Sequence, residues 1–274
     1  MKAAPFRYER PRDLDTALAL LRDEEAKPLA GGQSLVPMMA MRLARPAVLV
    51  DLARVPGLDR LERRDGELLT GAMVRQRALE RRQGLERELP LAAAALPHVG
   101  HREVRNRGTV GGSLAHADPS AELGLVAAVL EATLVARSAA GARELMGSEF
   151  AVGPFQTALQ DGELLCEVRW PTARPGDGFA FHEVARRHGD FALCGVAAWV
   201  RRGERARVGL LGVAPRPVVH ELPVDADVVE AAGQIATGLE PSSDMHATSG
   251  YRRRLARVLL ERCLRRAHED AGHD

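Results

Sequence analysis

Two short segments carry the residue types that can hold an anion: Ala30-Gly31-Gly32-Gln33-Ser34-Leu35 and Thr109-Val110-Gly111-Gly112-Ser113. Each follows apolar or extended chain and precedes a predicted helix. Paired glycines allow positive φ and remove side chains, so successive backbone N–H groups can converge on one anion. Ser34 in the first segment, and Thr109 and Ser113 in the second, add neutral hydroxyl donors. A following helix would aim its positive end at the same place. Two such turns brought together could cradle a pyrophosphate without a lysine. One Gly-Gly turn taken alone is more often an ordinary tight turn.

Other templates for chemistry fail. No G-x-G-x-x-G opens a helix, no P-loop is present, and no G-x-S-x-G nucleophile elbow exists. His182-Glu183 begins like a zinc helix, but position 186 is arginine, which breaks H-E-x-x-H. The nine histidines are scattered, and His98 with His101 reads as a pair at a helix end. Cys166, Cys194 and Cys263 lie far apart without a CxxC pair, so this chain alone builds neither an iron–sulfur cluster nor a cysteine zinc site. Sparse, odd-numbered cysteines also fit a reducing compartment. No metal site is expected.

These segments need a scaffold, and 274 residues suffice for one large domain or two ordinary ones. With 46% hydrophobic and 27% charged residues, the balance is that of a globular chain. A formal charge of +1 gives no bulk attraction for nucleic acid or anionic membrane. Lys2 and Lys27 are the only lysines among 38 basic residues, which reflects GC-rich coding more readily than a guanidinium-specific function. Proline and charges interrupt the N-terminal stretch where a signal peptide needs an apolar run, and no segment approaches a membrane span. A cytoplasmic protein is expected.

Apolar spacing predicts a helix starting at 11–15, strands at 28–30, 48–52 and 68–74, and a helix at 75–82. An alanine-rich buried helix over 89–99 should end at Pro97, and helix 122–131 should lead into strand 133–137. The stretch WPTARPGDG, with two prolines and two glycines, marks a boundary between residues 1–175 and 176–274. Beyond it, 179–185, 193–201 and 206–213 alternate like three antiparallel strands, with helices near 227–238 and 251–268.

AGGQSL at 30–35 and RNRGTVGGSLAHADPSAEL at 105–123 resemble the two FAD-contacting loops of the medium subunit of molybdenum hydroxylases, the carbon monoxide and xanthine dehydrogenase type. The resemblance continues through GELLCEVRWP at 162–171, FHEVARRHGDFAL at 181–193 and the terminal YRRRLARVLLERCLRRA helix. It implies an α+β fold: a p-cresol methylhydroxylase-type FAD-binding domain of two α/β subdomains, then a small domain with a three-stranded antiparallel sheet and helices. It implies that 30–35 and 109–113 surround the pyrophosphate and ribityl chain of non-covalent FAD. Glu122 falls where larger relatives have an FAD-holding aspartate, and Asp118 where they carry serine. Leu165 matches a position on the adenine side. His182 and Glu183 fall where many relatives have a lysine near the flavin. Asp190 and Phe191 match a recurrent GDF element, or a plain turn before a strand.

No catalytic side chain is needed in such a chain, because the flavin carries the redox chemistry. The resemblance implies a large molybdenum-cofactor subunit, a small subunit with two [2Fe–2S] clusters, and a dimer of heterotrimers. Electrons would leave for NAD, oxygen or a quinone. Absence of cluster cysteines here fits that division and opposes the benzoyl-CoA reductase branch. Two alternatives stay open: a stand-alone FAD oxidoreductase of the same fold, and a non-catalytic interaction protein that has lost FAD.

Overall fold

The computed structural model describes residues 2–272. The chain opens with β1 (Arg7–Glu9), α1 (Leu14–Leu20), β2 (Ala26–Leu29), α2 (Leu35–Ala40) and β3 (Val48–Asp51). Helix α1 starts where Asp13 accepts a hydrogen bond from the Thr16 N–H at 2.7 Å, a side-chain cap. Its buried Ala17 and Leu18 pack with Val48 and Val50. The three strands are parallel in the order β1-β3-β2, and Leu29 lies beside Asp51. Segment 30–35 therefore leaves the carboxyl edge of a parallel sheet, the edge from which such sheets present ligand sites.

The second subdomain begins with β4 (Leu61–Arg64) and β5 (Glu67–Gly71), joined by Asp65-Gly66 with φ of 51° and 81°. Positive φ at both central residues gives the turn whose twist matches a hairpin. Helices α3 (Gln76–Glu80), α4 (Leu85–Glu88), α5 (Pro90–Ala95), α6 (Arg102–Arg107), α7 (Val110–His116) and α8 (Glu122–Val129) follow. Then come β6 (Thr133–Ser138), β7 (Gly141–Met146), α9 (Gly147–Phe150), the small hairpin β8 (Ala151–Gly153) and β9 (Gln156–Thr157), and β10 (Leu164–Pro171). The sheet order is β4-β5-β10-β6-β7. The α-helix around residue 90 ends at Ala95, and Pro97 sits inside a 3-10 turn, Leu96–His98, that continues it.

The last part holds β11 (Asp177–Ala185), β12 (Ala192–Arg201), β13 (Arg205–Leu211), β14 (Val218–Leu222), α10 (Val228–Thr237) and α11 (Ser249–Gly272). Its antiparallel sheet has four strands in sequential order, one more than expected. The fourth, VVHEL, follows Pro215 and Pro217 and is only half-buried, so it lacks the apolar alternation that marks the other three. No helix among the described residues is long and apolar enough to cross a membrane.

The sheet is sandwiched. Phe181, Ala197, Trp199 and Leu211 point into the main core with α5 and α8, whereas Ala180, Val196, Ala198 and Val208 pack with residues of α10 and α11. Strand β12, buried on both faces, consequently loses polar–apolar alternation, as a doubly covered strand does. Buried Arg207 ties the layers by donating to Ala128 O at 3.2 Å and Val129 O at 3.0 Å, the carbonyl end of α8. Its guanidinium also meets Glu131 at 3.1 Å. A cation there answers the negative end of the helix.

Candidate functional site

The two glycine segments, nearly eighty positions apart, meet. A Cβ on Gly31 would lie 2.5 Å from Arg107 O and 2.8 Å from Gly108 Cα, and one on Gly112 would lie 3.1 Å from Ala30 Cβ. Glycine at position 31 is thus what lets the chains touch. The segments differ in how they use glycine. Gly32 alone has positive φ, 74°. Gly111 and Gly112 instead lie in the first turn of α7, with Thr109 as N-cap accepting from Gly112 N–H at 3.0 Å.

The expected convergence of N–H groups consequently belongs to one segment only. Among the described residues, the backbone N–H groups of Gly31, Gly32, Gln33, Ser34 and Leu35 have no hydrogen-bond acceptor. In the second segment those donors are spent internally: Val110 on Val74 O, Gly111 on Ala72 O, Gly112 on Thr109 Oγ1 and Ser113 on Thr109 O. Its part is to wall the nest and to offer the half-buried Ser113 side chain. Gly111 serves packing, since a Cβ there would sit 2.4 Å from Ala72 Cβ. Arg75 donates to Arg107 O beside the nest, and burial together with Arg107 holds the Arg75 pKa below its ordinary value.

Asp118 lies in the turn after α7, where its carboxylate accepts from Ser120 N–H at 2.8 Å. Ser113, Leu114, Ala117, Asp118 and Ala121 line one narrow crevice, which runs on from the second segment. Glu122 opens α8 and is buried, and burial pushes its carboxyl up to about 7. The remaining expectations are placed elsewhere. Leu165 is packed in the main core, beside a register shift in β10, away from the nest. His182 is exposed on the face of β11 shared with Ala180 and Val184, toward α11. Burial, Arg262 and His98 hold its imidazole pKa below the ordinary value.

Strand alternation sends Glu183 the other way, to His98, with Nδ1 and Oε1 3.3 Å apart. Glu183 Oε2 is buried and has no hydrogen-bond partner among the described residues. His98 and Glu183 thus form an ion pair that motif inspection did not join, and the in–out period of 179–185 was the available signal. Gly189, at φ 85°, lays the turn before β12 against His101, while Phe191 is 76% exposed. No group of three or more potential metal ligands occurs among the described residues.

Comparison with known proteins identifies the family. Residues 4–173 match the family described as the FAD binding domain in molybdopterin dehydrogenase, and 179–267 match the CO dehydrogenase flavoprotein C-terminal domain. The chain is 38% identical over 283 residues to the 6-hydroxypseudooxynicotine dehydrogenase complex subunit alpha of Paenarthrobacter nicotinovorans, covering 97% of this chain and 96% of that one. Among solved structures, a carbon monoxide dehydrogenase chain from Hydrogenophaga pseudoflava superposes with a TM-score of 0.93 at 31% identity, covering 98% and 99% of the two chains. A quinoline 2-oxidoreductase chain from Pseudomonas putida 86 gives 0.91 at 36% identity over the full length of both. The two family models together span nearly the whole chain, and the chain belongs to the FAD-binding medium subunits of the molybdenum hydroxylases.

Proposed function

We propose that Ala30–Leu35 hold the FAD pyrophosphate, that Thr109–Ser113 wall it, and that the chain relays electrons between partner subunits and a final acceptor. The observation that carries this reading is the run of five unspent N–H groups from Gly31 to Leu35 in a loop that only glycine at 31 can bring against Arg107 and Gly108. Such a nest neutralises a dianion through dipoles and needs no lysine. Ser34 makes no capping bond within the chain, so its hydroxyl is free to donate. Bound FAD would supply the exchange between one-electron and two-electron chemistry. The protein's own part is to grip, orient and shield.

By the same reading the electrons come from [2Fe–2S] clusters on a small subunit, after a large molybdenum-cofactor subunit has oxidised its substrate. They leave for NAD, oxygen or a quinone. The three cysteines support this division, because all are buried and unpaired and none is placed to bind a cluster. Two heterotrimers paired in a cytoplasmic assembly complete the proposal, and co-purification with a tagged chain should recover a large and a small cysteine-rich partner.

An absorption spectrum of the purified chain is the direct test, with the cofactor released by acid and identified. Flavin bands and free FAD are expected from the wild type, and Gly32→Val should lose them. A colourless protein that refuses added FAD would refute FAD binding altogether, and a Gly32→Val protein with full flavin content would place the pyrophosphate elsewhere.

A further inference from the structure

Arg75 differs from the other arginines of this chain in what surrounds it. Every other arginine that is buried or half-buried among the described residues has a carboxylate oxygen 2.5–3.1 Å from its guanidinium. Arg75 is half-buried and, among the described residues, has none within ion-pairing distance. The acid whose charge reaches it is Asp51, and the Asp51 oxygens are already engaged by the Tyr8 hydroxyl, by Ala53 N–H at 2.9 Å and by Arg10 at 3.2 Å. A cation taken partly out of water without a counter-ion is costly, so an anion at that place is its natural complement.

The second glycine segment fixes where that cation stands. Arg75 forms a β-bridge with Thr109, between the bonds from Val110 N–H to Val74 O and from Gln76 N–H to Gly108 O, both 2.9 Å. From there its guanidinium donates through Nη1 to Arg107 O. That carbonyl oxygen is the atom a Cβ on Gly31 would meet at 2.5 Å. Arg75 and the first residue of the N–H nest thus abut the same oxygen. Asp51 marks the same edge, since it lies beside Leu29 in the β2–β3 register, two residues before Gly31.

Only Nη1 of the guanidinium is spent, and its other nitrogens meet no acceptor among the described residues. A guanidinium presents planar, paired donors that match phosphate oxygens, and it keeps its charge. Backbone N–H groups carry partial charge alone. At this edge the two kinds of donor lie together.

We propose that Arg75 is a ligand of the FAD pyrophosphate, its guanidinium adding a full positive charge and paired donors to the N–H nest of Gly31–Leu35. The proposal rests on the FAD placement given above. Arg107 O orients the guanidinium before the cofactor arrives. Part of the affinity for FAD is then attraction between charges at a half-exposed site, and it weakens as salt rises.

FAD is titrated into the flavin-free full chain at salt concentrations from roughly 0.05 to 0.5 M, over which the screening length drops about threefold. Arg75→Gln keeps a donor for Arg107 O and removes the charge. It should bind FAD about 10- to 100-fold more weakly, the worth of one charge-assisted hydrogen bond, and depend less on salt. Arg75→Lys keeps the charge without the fork, so it should keep the salt dependence and recover part of the affinity. Arg257→Met, which removes an exposed charge from α11, should match wild type. Wild-type affinity and salt dependence in Arg75→Gln would overturn the proposal. So would equal losses in Arg75→Gln and Arg75→Lys with an unchanged salt dependence, the mark of a purely structural role. A wild-type affinity indifferent to salt would overturn it without any variant. Gly32→Val separates this contact from the nest. Loss of FAD there beside an unaffected Arg75→Gln keeps the nest and removes the arginine, whereas full affinity in Gly32→Val moves the pyrophosphate and takes this contact with it.

Discussion

Replacing Gly111 by alanine tests the packing that aligns the two segments. A Cβ at this position would lie 2.4 Å from Ala72 Cβ, 2.6 Å from Ala72 Cα and 2.9 Å from Ala72 O. Carbon atoms in contact sit about 3.5–4.0 Å apart, so the seam between α7 and the end of β5 must open by more than an ångström. Two of the three obstructing atoms are backbone and cannot rotate away. Overpacking of this kind costs about 1–3 kcal/mol, and the upper part of that range applies to a backbone obstacle. Alanine regains up to about 1 kcal/mol over glycine from helix propensity. The net loss is about 1–2 kcal/mol, or a fall in Tm of roughly 2–8 °C at 2–4 °C per kcal/mol for a chain of this size. Because Gly111 N–H is bonded to Ala72 O, the same opening shifts Thr109 and Gly112 relative to Ala30 and should lower flavin retention as well. The control is Gly233→Ala in α10, where an added Cβ meets nothing within 4 Å. That variant should be as stable as wild type or up to about 1 kcal/mol better, with unchanged flavin content. Thermal melts and flavin-to-protein ratios decide the matter. Wild-type melting and wild-type flavin in Gly111→Ala would show that the α7 seam is not what sets the geometry.

Other outcomes follow from burial and charge. Arg105 is buried, forks onto Glu80 at 2.9 and 3.1 Å, and donates to Val99 O and Gly100 O at 3.0 and 2.9 Å. Arg105→Met should cost about 3–5 kcal/mol, the usual loss when one member of a buried pair is removed, and denaturant titration measures it. Glu122, with a folded pKa of about 7 above its ordinary 4.5, stabilises the flavin-free fold fully below pH 4.5 and loses that contribution as pH rises through 7. At 1.36 kcal/mol per pH unit the span is about 3 kcal/mol, so Glu122→Gln should flatten the stability–pH curve between pH 5 and 8; an unchanged slope would contradict the assignment. Burial pushes the Cys166 thiol up to about 11 and those of Cys194 and Cys263 up to about 12. A thiol reagent at pH 8 should label none of the three in the native protein and all three after unfolding.

How much of this was legible in the sequence depends on what each residue answers to. Asp13 and Asp227 announce their helices because a side-chain cap is a local event. The meeting of Gly31 with Gly108, and the packing of Gly111 on Ala72, are tertiary events, and a Gly-Gly pair looks alike whether it bends the chain or admits a neighbour. That is why both segments could be named while their division of labour could not: one lends its N–H groups outward, and the other spends them on its own helix turn. Position 252 shows the same limit from the other side. An arginine-rich terminal helix suggests a solvated face, yet Arg252 is buried and donates to Leu193 O at 2.6 Å and Gly212 O at 2.9 Å. Strand β11 is the more instructive case, because the information was present. Phe179, Phe181 and Glu183 share one face by the period of two, and Ala180, His182 and Val184 the other. Since Phe181 belongs to the main core, Glu183 had to face the FAD-binding domain and His182 the terminal helix. Choosing between neighbouring polar residues is therefore a question of strand phase before it is one of motif, and phase is fixed by the apolar residues on either side.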